Sequence, residues 1–209
     1  MHSGEGKHVI VIIDYGMGNL ASVKNAFLKL GYDACTSTDP DRVVGATRVV
    51  LPGVGAFGNA VSSLRKSGMD RAIHEVVKNR IPFLGICLGL QLLSSESMEN
   101  GLHKGLDLVP GRVVKLPPGQ KVPHMGWNQV IPKTGSRLFQ GITPGSYFYF
   151  VHSYYIITRD EKLTAATCHY GLDFTCALEK GHLFATQFHP EKSGALGLRI
   201  LKNFGEMQG

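Results

Sequence analysis

The sequence predicts a single α/β domain: a mixed, mostly parallel sheet flanked by helices, with an antiparallel, strand-rich C-terminal half. Three observations carry that prediction. Strand-like and helix-like periodicities alternate through the first half of the chain, strand-like runs joined by Gly, Pro or Asp fill the second, and no linker, repeat or low-complexity stretch divides the 209 residues. Alternating strands and helices imply right-handed crossovers and a parallel sheet covered on both faces.

Residues 9–13 form a continuous β-branched run, as in a strand buried on both faces. Asn19 then caps a helix in which Leu20, Val23, Phe27 and Leu30 recur at steps of three and four, and Gly31 stands in the stop position. Residues 48–51 read as a strand ending in Pro52-Gly53. Met69, Ala72, Ile73, Val76 and Val77 mark a second amphipathic helix. Residues 81–86 make a third strand, and residues 88–93 open a helix. Beyond it, residues 112–115, 147–158, 163–168, 174–179 and 183–188 read as strands, with a hairpin turn over 170–173. Trp127 falls in a Gly-Trp-Asn loop, and Leu198, Leu201 and Phe204 share one face of a last helix. Residues 1–7 read as an N-terminal extension, native or added, to a domain of residues 8–209.

Composition narrows the function. Mean hydropathy is zero, and the longest apolar stretch is shorter than the ~20 residues a membrane span needs. The net charge of +6 raises the prior for an acidic partner. Its Lys and Arg are scattered and not interleaved with aromatics, which argues against nucleic acid. Four cysteines, at 35, 87, 168 and 176, include no Cys-x-x-Cys and no metal-ligand spacing. Free thiols in a reducing cytoplasm, and no metal or other cofactor, are the expectation. Cys168 and Cys176 stand where a hairpin can bring them face to face, though core filling is the better reading. Glycine is in excess, 26 residues, about 12% against about 7% in ordinary chains.

Those glycines gather around chemistry. Gly85-Ile86-Cys87-Leu88-Gly89 has the form of a nucleophile elbow, where a strand turns into a helix so tightly that only small residues fit two positions either side of the nucleophile. A cysteine there sits at a helix N-terminus, which favours the thiolate. The same string also suits a buried Cys in a glycine-rich turn. His189-Pro190-Glu191 supplies a base. Pro190 biases His189 toward extended backbone, in which residues two apart face one side, so Glu191 can fix the imidazole tautomer. Leu51-Pro52-Gly53-Val54-Gly55 follows a strand expected beside that of Cys87. It can aim the Val54 or Gly55 N–H at an oxyanion, with the Leu88 N–H as second donor. Read alone, it is better taken as a simple strand-to-helix turn.

Together these residues resemble the class I, triad-type glutamine amidotransferases, whose domain is a flavodoxin-like α/β fold. Within the class the resemblance is to the glutaminase subunits of imidazole glycerol phosphate synthases of histidine biosynthesis. It spans about residues 9–204. The strings that carry it are I-D-Y-G-M-G-N-L from Ile13, L-P-G-V-G-A-F-G from Leu51, L-G-I-C-L-G-L-Q-L-L from Leu84, P-H-M-G-W-N from Pro123, F-Y-F-V-H-S-Y from Phe148 and Q-F-H-P-E-K-S-G from Gln187.

The resemblance implies that Cys87 is the nucleophile, His189 the general base and acid, and Glu191 its orienting carboxylate, in hydrolysis of glutamine to glutamate and ammonia. It implies glutamine contacts from Gln91, Glu99 (or Glu96 in its place), and the main chain around Ser153 and Tyr154. It also implies a TIM-barrel cyclase subunit as partner in a heterodimer, taking up the ammonia to form imidazole glycerol phosphate and aminoimidazole carboxamide ribotide. Asp14, Tyr15, Met17, Asn19, Trp127 and Tyr149 lie in the strings where the family docks that partner. Asn19 is equally a helix cap, and Tyr149 equally a strand-core residue. The alternatives are a glutaminase subunit of a pyridoxal phosphate or anthranilate synthase, a catalytically silent regulatory subunit and, more weakly, a cysteine peptidase.

Overall fold

The chain folds around one continuous sheet whose parallel half is the scaffold of the site. In the computed structural model, which describes residues 9–208, the elements run β1 (Val9–Ile13), α1 (Leu20–Lys29), β2 (Asp33–Ser37), α2 (Pro40–Val44), β3 (Arg48–Gly53), α3 (Phe57–Lys66), α4 (Met69–Lys78), β4 (Phe83–Cys87) and α5 (Leu88–Leu92). There follow β5 (Ser94–Ser97), β6 (His103–Lys104), β7 (Val109–Lys115), β8 (His124–Pro132), β9 (Ser146–His152), β10 (Tyr154–Thr158), β11 (Thr164–His169), β12 (Asp173–Lys180), β13 (Leu183–Thr186) and α6 (Gly194–Gly205). The extension expected over residues 1–7 lies outside the described residues.

Strand order is β2-β1-β3-β4-β13-β12-β10-β7-β5-β6, with β11, β8 and β9 branching from β12. The first five are mutually parallel, and the C-terminal strands from β7 to β12 pair antiparallel among themselves. Period-two alternation sorts β1 between two cores. Ile10 and Ile12 join Phe27, Phe184 and Phe204 under α1 and α6. Val11 and Ile13 join Phe57, Leu64 and Ile73 under α3 and α4. Asn19 does cap α1, its side chain accepting from the Ser22 N–H at 3.4 Å.

Two expectations are corrected. The segment holding Trp127 is not a loop but the nine-residue strand β8, paired with β9 along its length. Its exposed apolar residues alternate with buried ones because it crosses the edge of the core. The single strand expected over 147–158 is two, β9 and β10, broken at Ser153. The helix expected after the elbow is there and lasts five residues before the chain extends again into β5, so any dipole at Cys87 is that of little more than one turn. Cys168 and Cys176 fill the core as expected: both thiols are free and buried, and Cys168 is in register with Phe174.

The tightest joint in the fold is the turn from β4 to α5. A Cβ on Gly85 would lie 2.8 Å from the Gly89 carbonyl oxygen, and one on Gly89 would drive into the carbonyl oxygen of Leu51 on β3. Both obstacles are backbone and have no rotamer to yield. Gly89→Ala is therefore expected to cost more than about 3 kcal/mol or abolish folding, whereas Gly135→Ala, with φ +85° and open space around it, should cost only about 1 kcal/mol. Urea unfolding of the two variants measures the contrast; equal losses would refute it.

Candidate active site

Three parallel strands end together. Gly53 at the end of β3 is in register with Cys87 at the end of β4, and Thr186 at the end of β13 with Ile86. The residues that follow each strand therefore meet at the carboxyl edge of the sheet, where open α/β sheets place ligands. A cavity of about 300 Å³ opens there, lined by Val54, Gly55, Cys87, Leu88, Gln91, Glu99, Pro123, Val151, His152, Ser153, Tyr154, His189 and Lys192. That volume is at the small end for ligand pockets and suits a small metabolite.

Cys87 adopts φ 56° and ψ −107°, a conformation that a non-glycine residue holds only when its surroundings impose it, at a cost of about 1–3 kcal/mol. The β3–β4 pairing on one side and the glycine contacts on the other impose it here. The thiol is buried, and as S–H it donates to the Val151 carbonyl at 3.8 Å.

His189 is fixed from two sides. Its N–H donates to the Tyr149 carbonyl at 2.9 Å, and its own carbonyl accepts from Ser193 Oγ at 2.7 Å. Its Nδ1 meets Glu191 Oε1 at 2.8 Å, with side-chain exposures of 3% and 1%. Glu191 reaches the ring through the 3₁₀ turn Pro190–Lys192 rather than through extended alternation, so the pairing expected from the sequence forms by a different local geometry. With Nδ1 engaged, the buried Nε2 has no hydrogen-bond partner and is the nitrogen left for Cys87. Burial opposes charge on this ring, but the neighbouring Cys87 sulfur and the hydrogen bond and charge of Glu191 outweigh it and push the pKa up to about 10. These neighbours favour the charged form of the ring.

Gln91, one turn beyond Cys87, is buried, and its Nε2 donates to the Tyr154 carbonyl at 2.9 Å and to Gln187 Oε1 at 3.1 Å. Its Oε1 is thereby turned away from both. Glu99 lines the cavity while its Oε2 accepts the Phe57 N–H at the start of α3, at 2.7 Å. Glu96 instead pairs with Arg112 at 2.7 Å and is absent from the cavity wall, which favours Glu99 of the two. Gly55 needs its φ of +97°, and a Cβ there would meet Met17 Cε at 2.7 Å. Met17 thus backs the Val54–Gly55 turn.

Pro123, Val151, His152, Gln187 and Lys192 escaped the sequence reading. Gln187 was legible by alternation, since it stands two before His189 at a strand end. Lys192 directly follows the His-Pro-Glu string, whereas His152 reaches the cavity only because the chain breaks at Ser153.

Of the residues expected to face a partner, Trp127 is 55% exposed and crosses β8 to Tyr149 on β9, ring centroids 6.2 Å apart. Met125 and Tyr147 extend that exposed face. Asp14 and Asn19 are half-buried and hold local turns. Tyr15 is a correction. It is only 5% exposed and its hydroxyl would lie 2.5 Å from a Cβ on Gly53, so it supports the turn from beneath instead of presenting itself to a partner. Burial, with Cys87 nearby, raises its phenol pKa above the ordinary value. Among the described residues no group of three or more His, Cys, Asp or Glu side chains is placed to hold a metal ion, and no helix is long and apolar enough to cross a membrane.

Comparison with known proteins gives this geometry its context. Residues 11–207 match the family Glutamine amidotransferase class-I. The imidazole glycerol phosphate synthase subunit HisH of Moorella thermoacetica is 55% identical over 199 residues, covering 95% of this chain and 94% of that protein. The subunit of the same name from Methanothermobacter thermautotrophicus is 52% identical over 200 residues, covering 95% and 98%. Among solved structures, PurLQS from Thermotoga maritima superposes with a TM-score of 0.73 at 14% identity, covering 95% of this chain and 97% of that one. A Thermotoga maritima glutamine amidotransferase gives 0.68 at 19% identity, covering 96% and 81%. At such identities these structures speak for the fold alone. The chain belongs to the class I glutamine amidotransferases and, within them, to the family of the imidazole glycerol phosphate synthase subunit HisH.

Proposed function

We propose that Cys87, His189 and Glu191 are the catalytic triad with which this chain, the glutaminase subunit of an imidazole glycerol phosphate synthase, hydrolyses glutamine. One observation carries the assignment of the triad: a buried His189–Glu191 pair whose free ring nitrogen is left for a cysteine held at a strained elbow, with Cys87 and His189 at the wall of one small cleft. A silent regulatory subunit has no use for that strain or for that buried charge. A glutamine-sized cleft also argues against a peptidase, which needs an open groove.

The steps follow from the residue types. Cys87 gives its S–H proton to His189 Nε2, its thiolate attacks the side-chain carbonyl carbon of glutamine, and the developing oxyanion meets the Leu88 N–H and that of Val54 or Gly55. His189 as imidazolium gives its proton to the departing nitrogen, ammonia leaves, and a γ-glutamyl thioester remains. The now neutral His189 takes a proton from water, whose oxygen attacks the thioester. Collapse expels the thiolate and frees glutamate. Gln91 Oε1 and the Glu99 carboxylate are acceptors for the substrate's α-ammonium group, and the main chain at Ser153 and Tyr154 holds its α-carboxylate.

Membership of the HisH family implies a cyclase partner. In this reading the partner is a TIM-barrel protein bound as a heterodimer, which uses the ammonia to form imidazole glycerol phosphate and aminoimidazole carboxamide ribotide. The Trp127–Tyr149 face of β8 and β9, with Asp14, Met17 and Asn19, is the docking surface, and a glycine-shaped oxyanion turn is where partner binding tunes activity. Four free cysteines fit a cytoplasmic setting.

Two outcomes are expected. Glu191→Gln should lower kcat on the order of 10²-fold or more. It also removes one of the groups that raise the His189 pKa toward about 10, so the alkaline limb of the pH–rate profile should move down toward neutrality. An unmoved limb would detach Glu191 from His189 function. Trp127→Ala should weaken the cyclase complex on the order of 10- to 100-fold in Kd, with glutamine hydrolysis recovering at saturating cyclase. Calorimetric titration reads the first, and unchanged affinity would remove Trp127 from the interface.

A further inference from the structure

The geometry points to Gln187 as the residue that holds the sulfur of Cys87 in its reactive form, by donating a side-chain N–H to it. This rests on the reading of Cys87 as nucleophile. Gln187 directly follows β13, is fully buried, and its Nε2 stands 3.8 Å from Cys87 Sγ. Its main-chain N–H is spent on the Cys176 carbonyl at 2.8 Å, which fixes where the side chain starts.

The direction of that amide is forced. A backbone carbonyl only accepts, so Gln91 must turn its NH₂ toward the Tyr154 carbonyl. The second proton of the same NH₂ then points at Gln187, whose oxygen has to receive it. With its oxygen committed to Gln91, Gln187 has only its NH₂ left for Cys87. A flipped Gln187 would set two NH₂ groups against each other. The Tyr154 carbonyl is itself held by a second donor, His152 Nδ1 at 2.9 Å, and His152 Nε2 accepts from His124 Nδ1 at 3.0 Å. Each donor in this buried chain faces the acceptor before it, and the far end aims an N–H at the sulfur.

A thiol has little need of that donor, because it already points its own proton at the Val151 carbonyl. A thiolate gains from it, since N–H donors favour the charged form. Gln187 therefore lowers the cost of the thiolate that attacks glutamine. Gln91 also ties this donor to the residue proposed to hold the substrate's α-ammonium group.

The test is the pH dependence of Cys87 alkylation by iodoacetamide in the full chain, in a Cys35→Ser background, with peptide mapping. Gln187→Met keeps the bulk and removes the donor. Its alkylation midpoint should rise by about one pH unit, with about tenfold slower alkylation at pH 7. In the complex with the cyclase subunit, kcat should fall about tenfold with little change in KM. If Gln187→Met does not fold, Gln187→Glu carries the test, since a carboxylate beside the sulfur should raise the midpoint further. A folded variant with the wild-type alkylation profile overturns the role of Gln187. That outcome is separable from failure of the nucleophile itself, which would appear as undiminished glutamine hydrolysis by Cys87→Ala in the complex.

Discussion

The site depends on how closely α5 is pressed against β3. The Gly89 backbone touches the Leu51 carbonyl, a contact that no Cβ could survive. It forces the chain to reverse within one residue of the end of β4, and Cys87 is the residue that takes up the reversal at positive φ. The strain of the elbow is therefore local in appearance and global in origin. Parallel pairing of β3 with β4, hydrophobic burial beneath α3 and α4 and the glycines at 85 and 89 together hold one cysteine in a conformation it would otherwise leave.

The same crowding sets the electrostatics. A cysteine carried on a relaxed loop would be solvated, and so would its base. Here the elbow presents sulfur into a cleft lined by His189 just beyond β13, so His189 and Glu191 are buried with it. Burial alone would keep an imidazole neutral, as it does for His124 and His152, whose pKa values fall to about 4 and about 3. His189 goes the other way because a thiol and a carboxylate flank it. Charge survives in this interior only where two partners are built for it.

The inner strands of the parallel half were legible because strands buried on both faces leave β-branched runs, and the elbow because glycine at 85 and 89 has few explanations other than a tight turn; the edge strand β2, mostly half-buried, and the helices α2 and α3 were not. His189 and Glu191 were legible for a similar reason: proline between them limits the backbone. The strand β8 was not, since its outward residues are Trp127, Met125 and Ile131, apolar positions that hide the alternation on which strand recognition depends. Tyr15 misled for the opposite reason. A tyrosine in a glycine-rich string looks exposed, and only the tertiary packing under Gly53 shows it buried. The Gln91–Gln187 pair joins residues far apart in sequence, so no local pattern could have announced it.

The neutral histidines matter for the order of events. In the proposed sequence ammonia leaves when the thioester forms, and the proton that balances glutamine hydrolysis appears only later, when the new carboxyl group ionises. At the moment ammonia is free, His189 has just given its proton away. His152, on the cleft wall, and His124 behind it are kept uncharged by burial at any pH near neutrality. None of the three rings can then protonate ammonia. A site that had to release ammonium would have no reason to bury two histidines beside its nucleophile. One that hands on neutral ammonia gains from having no charged imidazole left in the cleft when the thioester forms.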